Sequence, residues 1–227
     1  NSPETPLFDK GRTLFNLHNA APASRKARRV VVVEGQMDVV ALDQASLSEV
    51  VAPLGTALTE AQIQKLWQIS DEPILCFDGD SAGKKAAVRA AERALGILAP
   101  GKTLLIARMP ANQDPDDIIK TDGRAAFEEV LREASTLSEF LWTTEVEADD
   151  LDTPEARAEL GRRLRKLAQS IPEEDVRTQY LGFFNGRLSE LFGRFKQGGP
   201  GARYHASLKE RGIPPEMLAQ QAQVSAA

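Results

Sequence analysis

The chain has 227 residues, a net charge of −5 and one cysteine, which is room for one large domain plus an appendage. A single thiol excludes an internal disulfide and a cysteine-based zinc site, and the acidic balance argues against a non-specific nucleic-acid coat. No apolar run approaches bilayer length and no charged-then-apolar leader is visible, so the expected compartment is a reducing cytoplasm with no membrane partner.

The chain starts at Asn1 and reads as a piece of a longer protein. Residues 1–29 are Pro-, Asn- and charge-rich and read as a loop with a turn of structure leading inward. Val30 to Val33 is a continuous β-branched run, the pattern of a strand covered on both faces. Met37 to Ala45 has helical spacing, and Val50 to Ala52 reads as a short strand. Thr59 is placed to N-cap a helix, with Gln62 as the second half of a capping box and Ile63, Leu66 and Trp67 on its apolar face. Ile74 to Phe77 is the third strand, and buried Cys76 within it reads as a small hydrophobe. Ser81 to Leu98 is an Ala-rich helix stopped by Pro100-Gly101, and Leu104 to Ala107 is the fourth strand. The alternation predicts an α/β fold, a four-stranded parallel sheet with helices on both faces.

After about residue 123 the strand patterns cease. Phe127, Val130 and Leu131 suggest one helix and Leu137 to Trp142 another. Thr153-Pro154 opens a helix with Leu160, Leu164, Leu167 and Ile171 on one stripe, and Val176 to Phe192 carries the last. These form a helical bundle subdomain. Residues 198–227 are Gly-, Gln- and Ala-rich and read as a linker or tail.

Charge is unevenly distributed. Basic clusters stand at Lys10/Arg12, Arg25 to Arg29, Lys84-Lys85 and Arg162 to Lys166. Carboxylates stand just beyond predicted strand ends: Glu34 after the first, Asp78 and Asp80 after the third, and Asp114, Asp116 and Asp117 after the fourth. Each has a bland reading as a helix cap or a turn. In an open parallel sheet, however, the strand ends share one edge, where ligands bind. Two carboxylates ~6 Å apart repel by roughly 3 kcal/mol at an effective dielectric of ~20. A domain with ~5–15 kcal/mol of net stability would not gather several without a use for them. A divalent cation removes the repulsion, and an all-oxygen donor set selects Mg²⁺, Mn²⁺ or Ca²⁺ over zinc. No Ser-His-Asp or Cys-His arrangement, P-loop or Gly-x-Gly-x-x-Gly is present as an alternative.

"VVVEGQMDVVAL", "PLGTALTEAQI", "CFDGDSAGKKAA" and "QDPDDII", together with "NSPETPLFDKGRTLFNL" before them, resemble the Toprim-containing catalytic core of the bacterial replicative primase family across roughly residues 1–195. The resemblance implies a Toprim-type sheet in residues 29–122, the end of a preceding polymerase subdomain in 1–28, a helical subdomain in 123–197 and a tail in 198–227. It implies Mg²⁺-dependent nucleotidyl transfer, with Mn²⁺ as a substitute and no zinc in this segment, making short RNA primers from ribonucleoside triphosphates on single-stranded DNA. Glu34, Asp78 and Asp80 would be catalytic and, with Asp114 and Asp116, would hold metal. Lys10, Arg12, Gly35, Asp38, Gly55, Thr56 and Lys84 would line the nucleotide and template path. The family's zinc-ribbon and helicase-binding domains are expected outside this chain, so the replicative helicase and single-strand-binding protein would be met elsewhere, and the chain would be a monomer. The competing expectations are a Toprim nuclease or topoisomerase, the latter needing Tyr180 or Tyr204 as a nucleophile, and a non-catalytic single-strand-binding scaffold using the basic residues Arg162 to Lys166.

Overall fold

A computed structural model describes residues 9–55 and 57–195. The sheet has the four expected parallel strands and two short antiparallel edge strands that the pattern did not reveal. In chain order these are β1 (Leu14–Phe15), β2 (Val31–Val32), β3 (Val50–Pro53), β4 (Ile74–Phe77), β5 (Leu105–Arg108) and β6 (Ser135–Thr136). Across the sheet they run β1-β3-β2-β4-β5-β6. Both added strands have only two residues, too short for an alternating pattern to register.

Alternate residues of the central strands bury on opposite faces, as a parallel sheet covered on both sides requires. Val30, Val32, Val51, Leu75, Phe77, Leu104 and Ile106 share one apolar cluster. Val31, Val33, Val50, Ala52, Ile74, Cys76 and Ala107 share the other. The first face is covered by α3 (Glu60–Trp67) and α4 (Ser81–Leu95), the second by α2 (Gln36–Gln44), α5 (Pro115–Thr121) and α6 (Gly123–Arg132). The expected capping box closes α3: the Thr59 hydroxyl accepts from Gln62 N at 3.2 Å, and Gln62 Oε1 accepts from Thr59 N at 2.9 Å.

The entry segment corrects the sequence reading. Residues expected as loop form α1 (Leu17–Ala27), despite Pro22 in its interior. Proline removes one helical hydrogen bond. The helix is held instead by tertiary contact: Ala20 and Ser24, one turn apart, are buried. Arg28, in the left-handed region with φ 57°, ends it by donating its N–H to Ser24 O.

Past residue 122 the chain stays on the sheet before leaving it. Phe127 and Leu131 of α6 pack in the second cluster, and β6 pairs with β5. Then α7 (Leu137–Glu147), α8 (Pro154–Gln169) and α9 (Glu174–Phe195) form the helical unit. Its apolar residues Leu141, Trp142, Leu160, Leu164 and Phe184 belong to the same cluster as Leu75 and the α4 alanines. The two units therefore share a continuous core. No helix among the described residues is long and apolar enough to cross a membrane.

Candidate metal centre

The parallel register brings the acidic motifs to one edge. Val32 pairs with Leu75, and Phe77 with Arg108, so the ends of β2, β4 and β5 stand side by side. Glu34 follows β2, Asp78 follows β4, and Asp114 begins the helix that follows β5. The bland readings hold at the same residues. Asp80 Oδ1 accepts from Gly83 N at 2.7 Å and N-caps α4. Asp114 Oδ1 accepts from Asp117 N at 2.7 Å and N-caps α5, with Pro115 as its first residue. Capping occupies part of each carboxylate and fixes its position.

Asp78 is different. Its Oδ1 is buried without a hydrogen-bond partner. Burial, then the negative charges of Glu34, Asp38, Asp114 and Asp80, push its carboxyl up to about 7. Glu34 is held against it, its Oε1 accepting from Asp78 N at 3.1 Å. Asp38, buried on the first turn of α2, accepts from Gly35 N at 3.0 Å. Its carboxyl is raised too, by burial first and then by Asp114, Asp116 and Glu34, although the Gly35 hydrogen bond opposes the shift. A group in this state favours a proton or a cation.

Two glycines make the cluster possible. A Cβ on Gly79 would lie 1.8 Å from Pro110 O. Without one, the Asp78-Gly79-Asp80 loop is stitched to the following loop: Gly79 N donates to Gln113 O at 3.0 Å and Asn112 N donates to Gly79 O at 3.3 Å. A Cβ on Gly83 would lie 2.2 Å from Asp78 O and 2.7 Å from Glu34 Oε1. The sequence reading assigned no role to Gly83 or to the 110–113 loop. The only signal was a glycine in the first turn of a helix, where it is otherwise unfavourable.

Of the other expected site residues, Asp116 lies within electrostatic reach of Asp38 but is ion-paired to Lys120 one turn on. Lys84, exposed near the start of α4, is electrostatically coupled to Glu147 on α7, which also faces Arg108 at 3.9 Å. Lys10 and Arg12 sit on a 3₁₀ turn (Lys10–Arg12) whose carbonyls are tied to α3: Lys10 O accepts from Gln62 Nε2 at 3.0 Å and Arg12 O accepts from Lys65 Nζ. No contact joins either cation to the carboxylates among the described residues. Gly55 adopts φ +70° in the turn after β3. Thr56 lies outside the described residues.

The donor set fits a hard divalent cation. It is all oxygen, it includes a buried acceptor lacking a partner, and its mutual repulsion is uncompensated. Among the described residues no group of three or more Asp, Glu, His or Cys side chains is placed to hold a metal ion as it stands. Mg²⁺ commonly uses one or two carboxylates and keeps its remaining positions for water and phosphate, so an open arrangement suits it.

This sheet, with acidic motifs at the strand ends, defines a Toprim domain, and the Toprim domain family matches residues 28–103. A second family, the DnaB-helicase binding domain of primase, matches residues 138–194, corresponding to α7 through α9. The expectation that helicase-binding sequence lies wholly outside this chain is therefore corrected. The DNA primase of Rickettsia conorii is 39% identical over 188 residues, 83% of this chain and 32% of that protein. The Escherichia coli DNA primase is 41% identical over 177 residues, 78% of this chain and 30% of that protein. A solved DnaG catalytic core superposes with a TM-score of 0.77 at 39% identity, covering 84% of this chain and 62% of that one. A DnaG primase catalytic domain bound to single-stranded DNA gives 0.75 at 38%, covering 84% and 60%. The chain belongs with the DnaG-type bacterial primases, as a segment of their catalytic core, and spans about a third of the length of the curated relatives it matches.

Proposed function

We propose that this chain supplies the metal-binding part of a primase active site, which joins ribonucleotides into short RNA primers on single-stranded DNA. The observation that carries the reading is half-buried Asp78, whose Oδ1 is buried without a hydrogen-bond partner, held among Glu34, Asp38, Asp80 and Asp114 at the end of a parallel sheet. In the reaction, a 3′-hydroxyl attacks the α-phosphate of an incoming ribonucleoside triphosphate and pyrophosphate leaves. Glu34, Asp78 and Asp80 would hold Mg²⁺ or Mn²⁺, with Asp114 supporting them and Asp116 joining once released from Lys120. A bound divalent cation offers positive charge to phosphate oxygens and to the displaced pyrophosphate. The protein's part is positioning. The Asp78 amide fixes Glu34, which would serve as the acid/base group, and the Gly79 stitch fixes the 78–80 loop relative to Asp114.

Lys84 at the start of α4 is suited to nucleotide phosphate, and Lys10, Arg12, Gly35, Asp38 and Gly55 to the wider template and nucleotide path. The division of labour we propose is an entry segment to residue 28, a catalytic unit over 29–122 and a helical unit over 123–197 whose first elements, α6 and β6, still pack on the sheet. The α7–α9 unit is the candidate helicase contact, by its likeness to the helicase-binding family. We take the working unit to be a cytoplasmic monomer, with single-strand-binding protein met through other regions.

The competing readings lose ground at specific residues. The basic stretch a scaffold would use is partly spent within the helical unit: Arg162 pairs with Glu159, and Arg163 with Glu145 and Asp149. Of the chain's two tyrosines, Tyr180 is packed edge-on against Phe184, and burial raises its hydroxyl pKa, which makes it a poor nucleophile. The test uses the longer protein containing this segment, with single-stranded DNA, ribonucleotides and Mg²⁺. Short RNA products are expected from wild type and are expected to be lost in Asp78→Asn and Glu34→Gln. DNA cleavage without RNA synthesis would establish a nuclease instead.

A further inference from the structure

On the flank of the sheet, away from the acidic motifs in sequence, α1 and α3 border a groove of about 690 Å³. Its lining includes Leu14, Leu17 and Ile69 as an apolar floor, and His18, Arg25 and Lys65 as cationic or titratable groups. The volume lies within the ordinary range for ligand sites. No Asp or Glu lines it, in a chain whose net charge is −5.

The walls are built before any ligand arrives. His18, Ala21, Pro22 and Arg25 share one face of α1, spaced three or four residues apart, as do Lys65, Gln68 and Ile69 around the end of α3. The entry turn is tied to α3: Thr59 Oγ1 donates to Gly11 O at 2.5 Å, Gln62 Nε2 donates to Thr13 O at 2.8 Å, and Lys65 donates to Arg12 O. A preformed wall lowers the entropy cost of binding. His18 and Arg25 are exposed and make no hydrogen bond or ion pair among the described residues. Arg29, by contrast, is engaged by both Glu49 and Glu128.

We propose that this groove is a docking site for an acidic peptide segment carrying aliphatic or aromatic anchors. The carboxylates would meet Arg25 and Lys65 along the rim, and the anchors would cover Leu17 and Ile69, Leu14 being buried already. Charge complementarity selects an anionic occupant. The floor selects a peptide over single-stranded nucleic acid. It presents aliphatic side chains and no Phe, Tyr or Trp on which successive bases would stack, and the one ring of the lining, His18, is a single exposed side chain.

The test is fluorescence anisotropy on the full chain. The probe is a labelled ten-residue peptide alternating aspartate with leucine and phenylalanine, and the control has serine at every apolar position. The variant His18→Glu/Arg25→Glu changes two exposed side chains that make no hydrogen bond or ion pair among the described residues, and its circular dichroism melt checks that α1 tolerates the loss of a cation from its last turn. The peptide is expected to bind wild type, to weaken roughly tenfold in the variant and to weaken as salt is raised. The serine control is expected to bind at least tenfold more weakly than the probe. Equal affinity of wild type and variant would overturn the proposal, as would equal affinity of probe and control. It would also fall if a labelled single-stranded DNA oligomer lost affinity in the variant while the peptide bound neither protein.

Discussion

Two charged regions of this molecule obey opposite rules. At Arg29, every charge has an opposite partner: the guanidinium is bonded to Glu49 at 2.9 Å and to both oxygens of Glu128 at 2.6 and 2.9 Å. At the strand ends, Asp78 is surrounded by four other carboxylates, with one of its oxygens buried and unpartnered. Both regions join distant parts of the chain, but only the first satisfies itself. Paired charges contribute to the folded state as it stands. Unpaired like charges oppose it, and they persist where something outside the protein completes them.

The largest effect that would break this contrast is structural. Gly79→Ala places a Cβ where Pro110 O already stands, so the 78–80 loop and the 110–113 loop that leads to Asp114 must separate. The expected cost is about 2–4 kcal/mol in chemical denaturation, with loss of metal binding. A substitution that left both unchanged would mean that the stitch between the loops does not hold the site.

Next in size is Arg29→Ala, which strands Glu49, only 7% exposed, without its cation. About 2 kcal/mol of destabilisation is expected, below the value for a fully buried pair because Arg29 is partly open to water. The other partner of Arg29, Glu128, sets a pH dependence. Arg29 holds the Glu128 carboxyl below its usual range, despite burial acting the other way. A depressed carboxyl contributes stability above its unfolded pKa and loses it as pH falls through the lower folded value. The melting temperature of wild type should therefore fall more steeply below about pH 4 than that of Glu128→Gln.

Asp78→Asn should run in the opposite direction. Without metal, removing one of the mutually repelling charges is expected to stabilise the chain by about 1 kcal/mol, after allowing for solvent screening. A destabilised metal-free variant would show that the carboxylate already contributes to the fold. The smallest effect is expected at Arg162→Ala. The side chains of Arg162 and Glu159 are 63% and 43% exposed, so the change should stay within about 0.5 kcal/mol.

Much of this contrast could be read before any coordinates. The β-branched run Val30 to Val33, the Thr59/Gln62 capping box and the Asp114-Pro115 cap carry strong local signals, and each appears where its residues place it. The convergence of Glu34, Asp78, Asp80 and Asp114 followed from parallel topology, which fixes strand ends to one edge. Long-range packing was not legible. Pro22 hid α1 because the contacts of Ala20 and Ser24 override a local penalty. The edge strands were too short to show periodicity. The pairing of Arg29 with Glu128, 99 residues away, has no sequence signature, so the cluster Arg25 to Arg29 read as uniformly basic. The structure splits it, with Arg29 in an ion-pair network and Arg25 on an exposed groove.

The most direct measurement is the melting temperature of wild type and Asp78→Asn as MgCl₂ or MnCl₂ is added at constant ionic strength. A saturable rise is expected in wild type, because a ligand of the folded state stabilises it as the site fills, and little or no rise in the variant. Equal rises in both proteins, or none in either, would contradict the claim that the unpaired carboxylates at the strand ends form a divalent-cation site.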